Sequence, residues 1–415
     1  NATSTQQPSS YSGNWDKVGA VDLSYAKVNH YIKGVSSRDY ASASRNGINY
    51  GWSNSLSPDS IKIHNSVFQL GGDAFYSSEY WDFRPIEFVN NRVYNAGARF
   101  YGKSAYKKIE NNDFKNNRAS TNSVQIEARG DQREGSAQRM NFTFKNNLLE
   151  YGRLNFDFET SVSTNTPQNA AIIDISNNII ERHRNAELYI YYRNGNSNAS
   201  LPLDSTSITI ENNSVTGSNM QGQGIRINSQ QNPANWKIKN NTVQGTSYGI
   251  WMESSESSKW LVEDNTIDST YYNGMYKNNG DAMITGNTIE HSGRYSWNGT
   301  EFNGIYLNSS SNYPSTDTLK NNTVRYNGAW AYPNSTGLTL GIGGVTIDGN
   351  TSVVMNANNI YENQGHDVVN LVSKSVAAIQ DARYNYWGDS ATVEMNTGAN
   401  PKNISVIHDE YDNTV

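Results

Sequence analysis

The chain has 415 residues, with 27 Tyr, 9 Trp, 33 Gly, no Cys and a net charge of −6 at pH 7. The missing cysteine removes disulfides, thiolate metal sites and cysteine nucleophiles, and an acidic balance without a basic run excludes nucleic-acid binding through bulk phosphate contact. Apolar residues make up only 35% of the chain, too few for one compact core, yet the aromatic content exceeds that of disordered chains, so an ordered, elongated fold is expected.

Residues 1–20 read as an N-terminal extension or a truncated first coil, whereas VDLSYAKVNHYIKGVSS (21–37) already has the alternation of a coil interior. From there a pattern Asn-x-apolar, preceded by Asn, Asp or Gly, recurs as HNSV (64–67), NNRV (90–93), NNDF (111–114), NNLL (146–149), NNII (177–180), NNSV (212–215), NNTV (240–243), DNTI (264–267), GNTI (286–289), NNTV (321–324) and NNIY (358–361). The spacing runs from roughly 21 to 37 residues, as expected of a repeat protein with loops of unequal length. Each Asn follows a short alternating segment, such as WKIKN (236–240), and precedes a second one, often opened by Gly, such as GIWME (249–253). Alternation of this kind marks half-buried strands.

Repeats of short strands without a helical stretch stack most simply as coils of a parallel β-helix. Asn suits the corner because it tolerates the left-handed backbone, and its side chain can bond its counterpart one coil away. The predicted fold is therefore all-β: a single-domain parallel β-helix of about 11–13 coils with Asn ladders. It spans residues 21–390, followed by a C-terminal tail or cap at 391–415. No apolar run reaches membrane-span length, so no membrane partner is expected.

The second strands align as ARFYGK (98–103), VQIEAR (124–129), LNFDFE (154–159), LYIYYR (188–193), IRINSQ (225–230), IWMESS (250–255), MYKNNG (275–280) and IYLNSS (305–310). First and third positions are mainly apolar and face the core, so second, fourth and sixth positions face outward. The outward second position carries Arg99, Tyr189, Arg226, Trp251, Tyr276 and Tyr306. The fourth carries Tyr101, Glu127, Asp157, Tyr191 and Glu253. The sixth begins Lys103, Arg129, Glu159, Arg193.

Carboxylates on neighbouring strands repel one another when both ionise, so one of Glu127 and Asp157 is expected to hold a proton in the range of a general acid. Such a pair is what glycosidic hydrolysis needs. Aromatic side chains offer faces to sugar rings, and Arg or Lys binds uronate or sulfate groups. The candidate catalytic residues are Lys103, Glu127, Arg129, Asp157 and Glu159. The candidate substrate-binding residues are Arg99, Tyr101, Tyr189, Tyr191, Arg193, Arg226, Trp251, Glu253, Tyr276 and Tyr306. No metal ligands are assigned, and the six His are dispersed along the chain.

With its Asn repeats and the late ARYNYWG (382–388), the chain resembles the right-handed parallel β-helix proteins of the pectate-lyase-like superfamily over about residues 20–390. That superfamily includes lyases, glycoside hydrolases, epimerases, phage tailspikes and adhesins. A shorter stretch, GKS (102–104) followed by IENNDF and IEARG, is similar to chondroitinase B and related alginate lyases. The similarity implies Lys103 as the base that removes the proton beside the uronate carboxylate and Arg129 as an aid to the leaving oxygen. The chain departs from that pattern in two places: Gly130 follows Arg129 where the family has His, and Asn95, Ala96, Gly97 and Ala98 stand where calcium ligands are expected. No cofactor is therefore assigned. Calcium is conceivable but has no motif, and Arg99, Arg193 or Arg226 is left to neutralise the uronate.

Separately, Asp157-Phe158-Glu159 looks like the paired acids of some β-helix hydrolases of sulfated galactans. The expected function is a secreted or cell-surface enzyme that cleaves an anionic polysaccharide by elimination or hydrolysis. The alternatives are a glycan-binding adhesin, a surface-structure module or a tailspike, and the chain is left open between monomer and homotrimer.

Overall fold

The computed structural model describes residues 21–29, 33–37, 48–50, 60–69, 73–77, 85–100, 106–115, 124–129, 140–150, 154–160, 171–183, 187–194, 206–218, 222–230, 234–255, 258–293, 302–328, 343–373, 380–397 and 403–409. The N-terminal segment 1–20 lies outside them. Contacts group the chain into two compact units, Asn1–His183 with Leu188–Thr209, and Arg184–Glu187 with Ile210–Val415.

Within the first unit every strand pair among the described residues is parallel, and successive strands of a sheet come from successive coils. Sheet 1 contains Ile61–His64, Ile86–Val89, Tyr106–Glu110, Met140–Lys145 and Ala171–Ser176. Sheet 2 holds the short strands after the Asn corner, including Val67–Gln69, Arg92–Tyr94, Asp113–Lys115 and Leu148–Glu150. Sheet 3 holds Asp73–Ser77, Gly97–Phe100, Val124–Arg129, Leu154–Thr160 and Glu187–Asn194. A parallel β-helix is the arrangement in which a chain visits three sheets in this fixed order and returns to each one strand further along. Inward positions alternate with half-exposed ones, so the interior fills with stacked rings. Phe68, Phe88 and Phe114 stack from coil to coil, with centroids 6.1 Å apart at both steps.

The two residues of each Asn pair do different work. The first takes the left-handed backbone: Asn90, Asn111, Asn146 and Asn177 all have φ between 54° and 58°. The second is buried and forms the ladder. Asn112 Nδ2 donates to Phe88 O at 2.8 Å and to Asn147 Oδ1 at 2.9 Å, while the Asn112 backbone N–H donates to the same Oδ1 at 3.0 Å. Corner N–H groups that no sheet can reach are thereby satisfied, as buried backbone donors must be.

The second unit repeats the plan. Its sheet 1 contains Asn235–Lys239, Lys259–Glu263, Asp281–Thr285, Ser315–Lys320 and Thr351–Asn356. Sheet 2 runs through Ser214–Gly217, Thr242–Gln244, Thr266–Asp268, Thr288–Glu290, Thr323–Arg325 and Asn359–Tyr361. Sheet 3 contains Gly224–Gln230, Ile250–Ser254, Met275–Asn278, Ile305–Asn308, Gly343–Ile347 and His366–Asn370. Among the described residues sheet 2 has twelve strands, within the expected number of coils.

The ladder here runs Asn213, Asn241, Asn265, Asn287, Asn322, Asn358. It ends on Asn385, whose Oδ1 accepts from the Asn358 N–H at 2.9 Å. ARYNYWG thus supplies the last rung, and the helix Gly388–Asn396 follows directly with Trp387 and Ala391 buried. Glycine is obligatory where sheet 3 begins: a Cβ on Gly249 would stand 2.2 Å from Gly274 O. Among the described residues no helix is long and apolar enough to cross a membrane.

Several inward positions break the apolar rule, Lys107 among them, and one forms a buried ion pair. Lys277, third residue of its sheet 3 strand, is fully buried, as is Asp317 of sheet 1. Lys277 Nζ donates to Asp317 Oδ2 at 2.7 Å, Ser315 Oγ at 2.7 Å and Gly280 O at 3.0 Å, which uses all three ammonium hydrogens. Asp317 Oδ1 accepts from the Ala282 N–H at 2.9 Å. Burial pushes the Asp317 carboxyl up from its ordinary value, and the Lys277 ammonium opposes that shift.

Candidate functional site

Sheet 3 sets outward side chains in straight columns, and in the first unit the pairing brings the predicted charged residues together. Arg99 pairs with Gln125, Gln125 with Asn155, and Asn155 with Tyr189. Glu127 pairs with Asp157 and Asp157 with Tyr191, while Arg129 pairs with Glu159 and Glu159 with Arg193. Adjacent strands lie ~4.8 Å apart, so one column sets two acid positions on neighbouring rungs and the next sets cation, acid and cation positions in turn.

The sequence explains this orientation locally. Phe156 and Phe158 are fully buried and stack on each other at 5.5 Å, and Phe142 packs edge-on against both at 5.5 and 5.0 Å. Asp157 lies between two anchored rings and so must face outward, where it is half-buried. Arg99, Asn155, Tyr189 and Tyr191 are likewise half-buried. The strand positions of Glu127, Arg129, Glu159 and Arg193 follow from register alone, and Tyr101 and Lys103 lie outside the described residues.

In the second unit the same face is aromatic. Arg226, Trp251, Tyr276 and Tyr306 pair in succession, beside a polar column of Asn228, Glu253, Asn278 and Asn308. The Arg226 guanidinium sits 5.3 Å from the Trp251 ring and donates to Gln223 Oε1 at 2.7 Å. Trp251 and Tyr276 have centroids 4.7 Å apart, and Tyr276 and Tyr306 stack at 5.6 Å, nearly parallel at 6°. Tyr276 and Tyr306 cover one another's faces, and Trp251 is tilted at 47° to Tyr276. Tyr306 Oη donates to Asp348 Oδ2 at 2.5 Å, and Asn308 Nδ2 donates to Asn278 Oδ1 at 3.1 Å.

A second aromatic row, not identified from sequence, lies on the corner entering sheet 3. Tyr248 meets Trp251 at 4.5 Å and Tyr272 at 4.8 Å, and Tyr272 meets Phe302 at 4.4 Å. Its signal was an aromatic one or two residues before the strand-opening glycine in three successive coils: Tyr248-Gly249, Tyr272-Asn273-Gly274 and Phe302-Asn303-Gly304. Burial, with Tyr272 and Tyr276 nearby, pushes the Tyr248 hydroxyl up to about 12. Burial first, then Glu253 and Asp348, raises Tyr276 as well. Both remain protonated donors at neutral pH. Among the described residues no three His, Asp or Glu side chains converge as a metal site.

A family model described as right handed beta helix region matches residues 84–267 and 203–414. Comparison with curated proteins and with solved structures finds no match.

Proposed function

This chain belongs to the right-handed β-helix family, and from that premise we propose that it is a polysaccharide-degrading protein, secreted or on the cell surface, acting on the outward face of sheet 3. The observation that carries the reading is the register of Glu127 beside Asp157, with Arg129, Glu159 and Arg193 on the next outward column. Two carboxyls on adjacent rungs suit glycosidic hydrolysis: one donates a proton to the leaving oxygen while the other attacks the anomeric carbon or activates water. Strand spacing of ~4.8 Å is close to the ~5–5.5 Å carboxyl separation of retaining enzymes. The flanking Arg side chains fit an anionic glycan carrying uronate or sulfate groups. If cleavage is instead an elimination, Lys103 is the base and Arg129 assists the leaving oxygen.

Incubation with a panel of uronate-containing and sulfated polysaccharides tests this proposal. New reducing ends without ultraviolet absorbance mark hydrolysis, and new ends with the absorbance of an unsaturated uronate mark elimination. Absence of new ends across the panel counts against cleavage. A second reading, glycan binding without cleavage, draws on the second unit. There Asp348 is engaged by the Tyr306 hydroxyl and Glu253 faces Asn228 and Asn278 along its column, so among the described residues that face has aromatic and amide groups but no acid pair on adjacent rungs.

A further inference from the structure

Directly after the Asn corner, the second unit carries a shallow, open cavity of about 450 Å³ on the outward face of sheet 2. Three successive corner strands, Thr288–Glu290, Thr323–Arg325 and Asn359–Tyr361, build its floor. Their middle residues Ile289, Val324 and Ile360 are fully buried, so first and third residues point outward in two parallel rows. One row reads hydroxyl, hydroxyl, amide: Thr288, Thr323, Asn359. The other reads carboxylate, guanidinium, phenol: Glu290, Arg325, Tyr361.

The second row is already organised. Arg325 Nε donates to Glu290 Oε1 at 2.7 Å, and Arg325 NH1 donates to Tyr361 Oη at 2.8 Å. The hydrogen bonds that Arg325 donates to Glu290 and Tyr361 raise its pKa further, so the guanidinium is permanently charged and its charge is matched by Glu290. At one end the Tyr361 and Tyr386 rings meet at 5.5 Å and 63°, and Tyr386 Oη is held by Asp389 at 2.6 Å.

The chemistry of the floor narrows the ligand. A matched carboxylate–guanidinium pair has no net charge with which to select an anion or a cation. Two rows of hydroxyl, amide, carboxylate and guanidinium groups are too polar for an apolar molecule. What they match is a molecule with many hydroxyls and no charge, since planar polar groups bond adjacent hydroxyls in pairs and the Tyr wall can take a C–H face. We infer that this cavity is a binding site for a neutral sugar unit of a glycan, separate from the sheet 3 face.

The test is titration of the full chain with neutral gluco-, manno-, xylo- and galacto-oligosaccharides, by calorimetry and ligand-observed NMR. At least one should bind, and Thr323→Trp, which fills the cavity from an outward position, should weaken it at least tenfold. Arg325→Ala provides a second variant, with far-UV circular dichroism confirming that both fold. Depolymerising activity on sheet 3 should be unchanged in Thr323→Trp, which separates the two sites. The inference is overturned if no neutral oligosaccharide binds, if binding survives Thr323→Trp, if Trp251→Ala on sheet 3 abolishes it, or if uronate oligosaccharides bind this cavity equally well.

Discussion

Asn265→Ala and Asp264→Ala change adjacent residues of one corner, and the ladder requires their costs to differ widely. Asn265 Oδ1 accepts from the Asn241 N–H and from Asn241 Nδ2, both at 2.9 Å. Its Nδ2 donates to Ile238 O at 2.8 Å and Asn287 Oδ1 at 2.9 Å. Truncation to Ala leaves the Asn241 N–H and one of its two Nδ2 hydrogens without an acceptor, the other still bonding Ile210 O, and removes a donor from Ile238 O. Each orphaned buried group costs about 1–3 kcal/mol, so the sum is about 4 kcal/mol. Asp264 is exposed, with φ 54°, and its replacement loses only the better tolerance of Asp for the left-handed region, about 1 kcal/mol or less. Urea unfolding gives the stability difference, and hydrogen exchange at the Asn241 amide gives its location. Equal costs for the two variants, or unchanged exchange at Asn241 in Asn265→Ala, would refute the division of labour within the Asn pair.

Lys277→Met should destabilise by about 3–5 kcal/mol, because it leaves the buried Asp317 carboxyl unpaired. Adding Asp317→Asn, which keeps an acceptor for the Ala282 N–H, should recover at least half of that in a double-mutant cycle by urea unfolding. Gly249→Ala should cost more than about 3 kcal/mol, beyond the usual range for a point change, since its Cβ would meet Gly274 O at 2.2 Å; thermal unfolding reads the loss. Burial raises the Asp367 carboxyl from 3.8 to about 6, against hydrogen bonds from Asn363 that lower it. The folded state therefore holds that proton between these pH values, and its stabilising effect is full below about pH 4 and lost as pH rises through about 6. Asp367→Asn should leave stability unchanged at pH 4 and raise it by about 2–3 kcal/mol at pH 8, as followed by melting temperature across that range.

Much of this architecture is legible in the chain because strand period and corner chemistry repeat locally. VQIEAR, LNFDFE and LYIYYR each place apolar residues at first and third positions, so their register, and the column containing Glu127, Asp157 and Tyr191, follows from side-chain alternation alone. The Asn pair is equally visible, but its two roles are not, since in most coils both positions show the same residue. Lys277 is visible as a charge at an inward position, yet its partner Asp317 lies 40 residues away and is identified only by the coil-to-coil stacking. The Glu290–Arg325–Tyr361 row is hidden for a related reason. TIE, TVR and NIY share a register but change residue type at the third position, so no composition signal marks them as one site.

The carboxylate pair on sheet 3 is tested most directly by comparing depolymerisation by Glu127→Gln and Asp157→Asn with the unaltered chain on a polysaccharide that it cleaves, alongside oligosaccharide affinity. Loss of an acid or base group should lower turnover by about 10²–10⁴-fold while leaving affinity within about threefold, less than one decade of binding free energy. Turnover unchanged in both variants would contradict the assignment of cleavage to this pair.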